Sequence, residues 1–326
     1  MASLDGTKRG TILLTGANSD LRFLGVQTLS KVNMSLGGTA GTSAMLEAAG
    51  LSSFLPAQLT LGSAVTITHT AGADASIGLA QITSSGFETP GVVINQGSIA
   101  AGLKGGTFFI NGGSFDNQGK VTVSNGDVLT VNPSKFTNEG TVNVVTGATL
   151  NIGQSFGTQT VWSSTGTLSE TNATIKLLGT VSLDNLNSIT RSGGTVAVAG
   201  VANLGGGTLN VGTGTKLGAL VLTGTITNGT VNDADPGVIF SGSAATLNGV
   251  KYQGTLDLSP ASSRVTVLNG LPLSGLGGVG KATILDTGAG SLLETVGTTT
   301  LDNANMSLGG TGFSSATLNI EKGRVL

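Results

Sequence analysis

The chain contains no cysteine, one histidine, one tryptophan, one tyrosine and only six prolines in 326 residues. Without cysteine there can be no disulfide, zinc–thiolate site, iron–sulfur cluster or thiol nucleophile. Charge is scarce too: 10% of residues are charged, where an ordinary globular domain carries about 25%. Fifteen Lys and Arg against 17 Asp and Glu give a net charge of −2, with no basic run. Neither a phosphate-tracking groove nor an anionic-lipid patch is indicated, and nucleic acid is excluded as an expected partner. No apolar run approaches the roughly 18 residues of a membrane span, and the polar start Met1-Ala-Ser-Leu-Asp-Gly-Thr-Lys-Arg-Gly is no signal segment. With aromatics at 4%, the core cannot be built around large rings.

What is abundant is glycine, 54 residues, more than twice the usual share of about 7%. No Gly-X-Y period accompanies it, which excludes collagen, and the many Val, Ile and Thr residues argue against a disordered linker. Repeats explain the glycine. Phe115-Asp-Asn117-Gln-Gly119-Lys-Val121-Thr-Val123 matches Phe136-Thr-Asn138-Glu-Gly140-Thr-Val142-Asn-Val144 at an offset of 21, and Asn95-Gln-Gly97-Ser-Ile99 precedes the first by 22. Periods of this size are coils of a solenoid rather than domains. A second repeat is much longer. Thr11–Thr39 recurs as Thr283–Thr311 at an offset of 272, with 18 identities in 29 positions. The sequence therefore reads as one β-solenoid over 1–326, holding a 272-residue unit (11–282) and the start of the next copy near 283. On this reading it is a fragment of a longer repeat protein.

Within each short repeat the side chains alternate. Phe115, Val121, Val123, Leu129 and Val131 are interleaved with Lys120, Thr122 and Thr130, the period of a strand with one buried and one solvated face. The residues expected to define the coil are Phe115, Asn117, Gly119, Val121, Phe136, Asn138, Gly140 and Val142. Asn117-Gln-Gly119 and Asn125-Gly126 are expected at corners, where Asn and Gly tolerate a left-handed backbone. The fold class is all-β, a parallel β-helix with coils of 21–22 residues, which would give on the order of 15 coils. One stretch breaks the pattern: Ser43–Gln58, with Ala, Met, Leu and Glu at helix-like spacing, reads as a short helical or irregular lateral excursion.

The Asn-x-Gly-x-Ile/Val motifs at Asn95, Asn117 and Asn138 resemble the repeats of filamentous haemagglutinin-like exoproteins and autotransporter passenger domains, and Gly254-Thr-Leu-Asp-Leu258 looks like the β-strand repeats of large bacterial surface proteins. The resemblance implies a right-handed winding of the β-helix and a secreted or cell-surface adhesin or stalk acting in biofilm or cell–cell contact, its signal and anchor outside this chain. Its implied partners are a glycan or protein on a host or neighbouring cell, together with flanking repeats of the same polypeptide.

No catalytic or cofactor site is expected. His69, in Val65-Thr-Ile-Thr-His-Thr70, shares a strand face with Val65 and Ile67, and no Gly-x-Ser-x-Gly elbow accompanies it. A polysaccharide-binding or polysaccharide-cleaving β-helix is the alternative. It would need carboxylates from among Asp184, Asp233, Asp235, Asp257 and Asp302, with Trp162 or Tyr252 as sugar platforms. Asn232-Asp233-Ala234-Asp235-Pro236-Gly237 has the alternating oxygens of a calcium loop, which makes Asp233 and Asp235 weak metal candidates. It lacks the six to eight ligands such an ion takes, and reads better as a polar turn.

Overall fold

A computed structural model describes residues 8–38, 42–50, 57–70, 72, 74–78, 89–154, 160–241, 245–297, 301–310 and 314–320. The chain is a parallel β-solenoid of about 12 turns. It divides into two compact units, residues 1–176 with 192–194, and residues 177–191 with 195–326.

In the first unit each turn lays down three strands, one on each of three sheets. Ser98–Ala101, Thr107–Ile110 and Ser114–Asn117 make one turn, and Lys120–Val123, Val128–Val131 and Lys135–Asn138 make the next. All three pairs are parallel, with Val121 beside Ile99, Leu129 beside Phe108, and Phe136 beside Phe115. Alternation works as expected: Phe115, Val121, Val123, Leu129, Val131, Phe136 and Val142 are buried, while Lys120, Thr122 and Thr130 face outward. Because equivalent residues stack, the core is a set of columns. Phe115 lies on Phe136 at 5.7 Å between ring centroids, and Phe136 on Trp162 at 6.4 Å. Beside them Asn95 Nδ2 donates to Asn117 Oδ1 and Asn117 Nδ2 to Asn138 Oδ1, both at 2.8 Å, and Asn138 Nδ2 donates to Ser164 Oγ at 3.0 Å.

The coil period holds only locally. Between Ser98 and Ile152 successive turns keep the spacing of the short repeats, with Ser98 beside Lys120, Lys120 beside Thr141, and Val128 beside Thr149. Outside that stretch the spacing changes in both directions. A longer turn separates Gln58 from its partner Val92, and a shorter one separates Leu220 from Val238. Strand register must be kept from turn to turn, but connections at the corners can lengthen at small entropic cost. That is why the chain winds about 12 turns where a uniform short period implied on the order of 15.

The expected excursion also needs correction. Ser43–Gly50 is an eight-residue strand running parallel to Ser19–Leu24. Ala44, Leu46, Ala48 and Ala49 are buried, and Glu47 accepts from Arg22 Nε at 2.8 Å. Stacking on a formed strand outweighs the modest helix preference of Ala, Met and Glu. Residues 51–56 of that stretch lie outside the described residues.

Two kinds of corner emerge. Asn125 and Gly126 have φ of 59° and 75°, the left-handed turn anticipated for them. Asn117 and Gly119 do not; Asn117 ends a strand and spends its amide in the ladder. Gly119 is required by contact, since a Cβ there would overlap Gly97 O, as one at Gly140 would overlap Gly119 O.

The second unit uses the same parallel stacking with longer strands, Thr225–Ala234 beside Ala245–Asp257. Its one α-helix among the described residues, Leu183–Ser188, is capped by Ser182 Oγ accepting from Asn185 N. The long repeat is structural as well as sequential. Thr11 pairs with Asn33 in the first copy, and their counterparts Thr283 and Asn305 pair in the second.

Replacing Asn117 by Ala would leave buried amides of Asn95 and Asn138 short of a partner, a loss of about 1–3 kcal/mol. Gln118→Ala, which removes the exposed Gln96–Gln118 contact, should shift stability by less than about 0.5 kcal/mol. Urea midpoints of the two variants test this contrast.

Candidate functional site

The single histidine lies inside a turn of the first unit. His69 Nδ1 is 2.8 Å from Asp127 Oδ2, and both side chains are fully buried. Asp127 also accepts Leu103 N and Val128 N, each at 2.9 Å. The His69 ring packs on Phe108 at 5.6 Å between centroids, and Gly106 passes so close that a Cβ would collide with the imidazole. His69 Nε2 is buried without a hydrogen-bond partner. The pair has the orientation of two-thirds of a Ser-His-Asp triad, yet among the described residues no hydrogen bond links a serine to it, and solvent does not reach it. Its structural work is to hold the Leu103–Val128 corner.

The acidic candidates all lie in the second unit. Asp233 is buried: its Oδ2 accepts Val238 N at 2.9 Å and also the Tyr252 hydroxyl, and Gly237 packs on its Oδ1 side. Burial pushes the Asp233 carboxyl above its ordinary value of 3.8; the bonds from Tyr252 and Val238 pull it back, and the charges of Asp235 and Asp257 push it up again. Burial first, then the adjacent Asp233 charge, hold the Tyr252 phenol well above its ordinary 10.0. The structure therefore brings Asp233, Asp235, Asp257 and Tyr252 within electrostatic reach of one another, although they are scattered along the sequence.

What it forms is a brace. Tyr252 is 0% exposed and offers no face to a sugar. Trp162, buried in the Phe115–Phe136 stack, offers none either. Asp235 is exposed, while Asp257 caps its own turn by accepting Ser259 N at 2.8 Å. Among the described residues no group of three or more His, Cys, Asp or Glu side chains could hold a metal ion. Asp184, in the first turn of the short helix, lines a shallow surface groove of about 510 Å³ with Ser182, Asn203 and Gly205 but no aromatic residue. Asp302 is exposed just ahead of the strand Ala304–Leu308. No helix among the described residues is long and apolar enough to cross a membrane.

Sequence reading missed the other buried carboxylates. Glu170 Oε1 accepts Ala173 N at 2.7 Å, and Asp286 Oδ1 accepts the Ser291 hydroxyl. One signal for Asp286 was available: it stands where the first copy of the long repeat has Leu14, and Ser291 where it has Ser19. In that first copy Ser19 Oγ is buried without a partner.

Burial raises the Asp286 carboxyl above 3.8 despite the bonds from Ser291 and Leu293. A carboxyl with a raised folded-state value binds its proton more tightly folded than unfolded, so its contribution to stability falls as pH rises. The stability of the wild type relative to Asp286→Asn should therefore decline as pH climbs above 3.8 and level off once the folded group is ionised. Urea unfolding at points from about pH 3 to pH 7 measures this difference; a difference growing in the opposite direction contradicts it. Tyr252→Phe should destabilise by about 1–3 kcal/mol, because it leaves Asp233 buried with one donor fewer.

Comparison with known protein families, curated proteins and solved structures yields no match to this chain.

Proposed function

We propose that the chain is a structural and adhesive repeat region of a bacterial secreted or cell-surface protein, serving as a stalk or adhesin without catalysis. One observation supports this reading above the others: two inward columns of the first unit keep their residue character from turn to turn, while the outward column that begins at Ser43 does not. The inward column Phe115, Phe136, Trp162 and the amide column Asn95, Asn117, Asn138 are maintained. The outward column Ser43, Asp74, Thr107, Val128, Thr149 changes character at every step. A scaffold kept constant beneath a varied surface suits many weak contacts made together, which add through effective concentration rather than through one deep site. The buried polar groups described above are engaged in holding corners, and the resemblance of the Asn-x-Gly repeats to exoprotein adhesins points the same way.

Three measurements test the proposal. Antibody raised against the chain should label intact producing cells without permeabilisation; label confined to the cell interior would overturn the surface assignment. Beads coated with the chain should adhere to cells or to one another with a steeper than linear dependence on coating density. Polysaccharide solutions incubated with it should keep their viscosity, and enzymatic thinning of any of them would replace the adhesive reading with the carbohydrate-cleaving alternative.

A further inference from the structure

On the outward face of the first unit, three residues stand in register on successive turns: Met45, Ser76 and Phe109. Adjacent strands are about 4.8 Å apart, so the two large side chains are separated by about 9.6 Å with only a serine between them. The result is a slot of about 350 Å³, lined also by Asp74, Asn111 and Asn132. Two polar atoms in its lining have no hydrogen-bond partner although they are buried: Ser76 Oγ and Asn132 Oδ1. Ser76 is only 6% exposed. Elsewhere in this unit outward amides find partners across turns, as Asn151 Nδ2 does on Thr130 Oγ1 at 3.1 Å.

Buried polar atoms without partners cost about 1–3 kcal/mol each, and here they sit beside an aromatic ring that faces outward. We infer that the slot is a binding site for a neutral saccharide ring, with one C–H face against Phe109 and ring hydroxyls donating to Asn132 Oδ1 and Asp74 and exchanging a hydrogen bond with Ser76 Oγ. The chemistry of the lining selects this occupant. An apolar side chain from a protein partner would fill the space between Met45 and Phe109 but seal Ser76 and Asn132 away still unpartnered. A sugar presents an apolar face and a hydroxyl edge together. Among the described residues of the lining the only charged group is Asp74, an acceptor, so an anionic sugar is disfavoured. The flexible thioether chain of Met45 is the element that moves to admit the ligand to Ser76. The inference stands on this slot and does not depend on the adhesive reading.

Saturation-transfer NMR on the full chain tests it, with cellohexaose, maltohexaose and acetylated chitohexaose as probes and N-acetylphenylalaninamide as the apolar competitor. Transfer to the ring protons of at least one oligosaccharide is expected. It should weaken about tenfold or more in Phe109→Ala, which removes the platform, and in Ser76→Met, which fills the slot. Both substitutions lie on the outward face, and each counts only where its urea midpoint matches the wild type; either alone suffices. The inference is overturned if none of the three sugars receives saturation, if transfer survives in the folded variants, or if the phenylalanine amide displaces the sugar, which would mark the slot as a protein-binding one. Cell-surface labelling is indifferent to all of these outcomes, so failure here and failure of the adhesive reading are distinguishable.

Discussion

Gly97, Gly119, Gly140 and Gly166 stand one above the next so closely that a side chain on any of the last three would overlap the carbonyl oxygen of the glycine below. The rest of the first unit depends on this approach. It brings successive turns within hydrogen-bonding distance at a corner, where Lys120 N reaches Gly97 O at 2.8 Å and Thr141 N reaches Gly119 O at 2.9 Å. It also sets the neighbouring asparagines at the spacing of an amide ladder, each side chain donating upward to the next. Once the corner is in register, the Phe115–Phe136–Trp162 column and the valine columns follow, because a one-residue slip would turn every buried side chain outward. A chain poor in large side chains is held together here by repetition of small close contacts rather than by a bulky core.

Where the ladder is absent, buried carboxylates take its place. Asp127, Glu170, Asp233 and Asp286 each accept from backbone N–H groups or hydroxyls of a corner. These are costly groups to bury, and they remain because each gathers donors that the turn would otherwise leave unpaired. The pairs that look most like chemistry, His69 with Asp127 and Tyr252 with Asp233, belong to this class. Their burial is what makes them good braces, and it also keeps substrates from them.

With the interior committed to stacking, the outward positions are the ones open to contact. In the column Met45, Ser76, Phe109 three unrelated side chains are brought into register by turns longer than the short repeat, and the proposed saccharide slot rests on that register. Longer turns change which residues meet on the surface while leaving the columns beneath intact. A β-solenoid can in this way vary its contacts without altering its fold.

The sequence by itself determined the class of fold, the parallel stacking, the inward columns from Phe115 to Val142 and the equivalence of the two long-repeat copies, because each rests on local alternation or on repeats that can be aligned along the chain. The same local signals misjudged Ser43–Gly50, whose composition favours a helix in isolation and whose strand form is imposed by the Ser19–Leu24 strand beside it. They misjudged the uniform coil length too, since the length of a corner is set by which strands pair and not by the residues within it. Only the tertiary structure decided that His69 meets Asp127, that Trp162 and Tyr252 are buried rather than offered to a ligand, and that Met45, Ser76 and Phe109 frame one slot. Those contacts join turns whose spacing follows no period, so no pattern along the chain records them; they exist only once the coils are stacked.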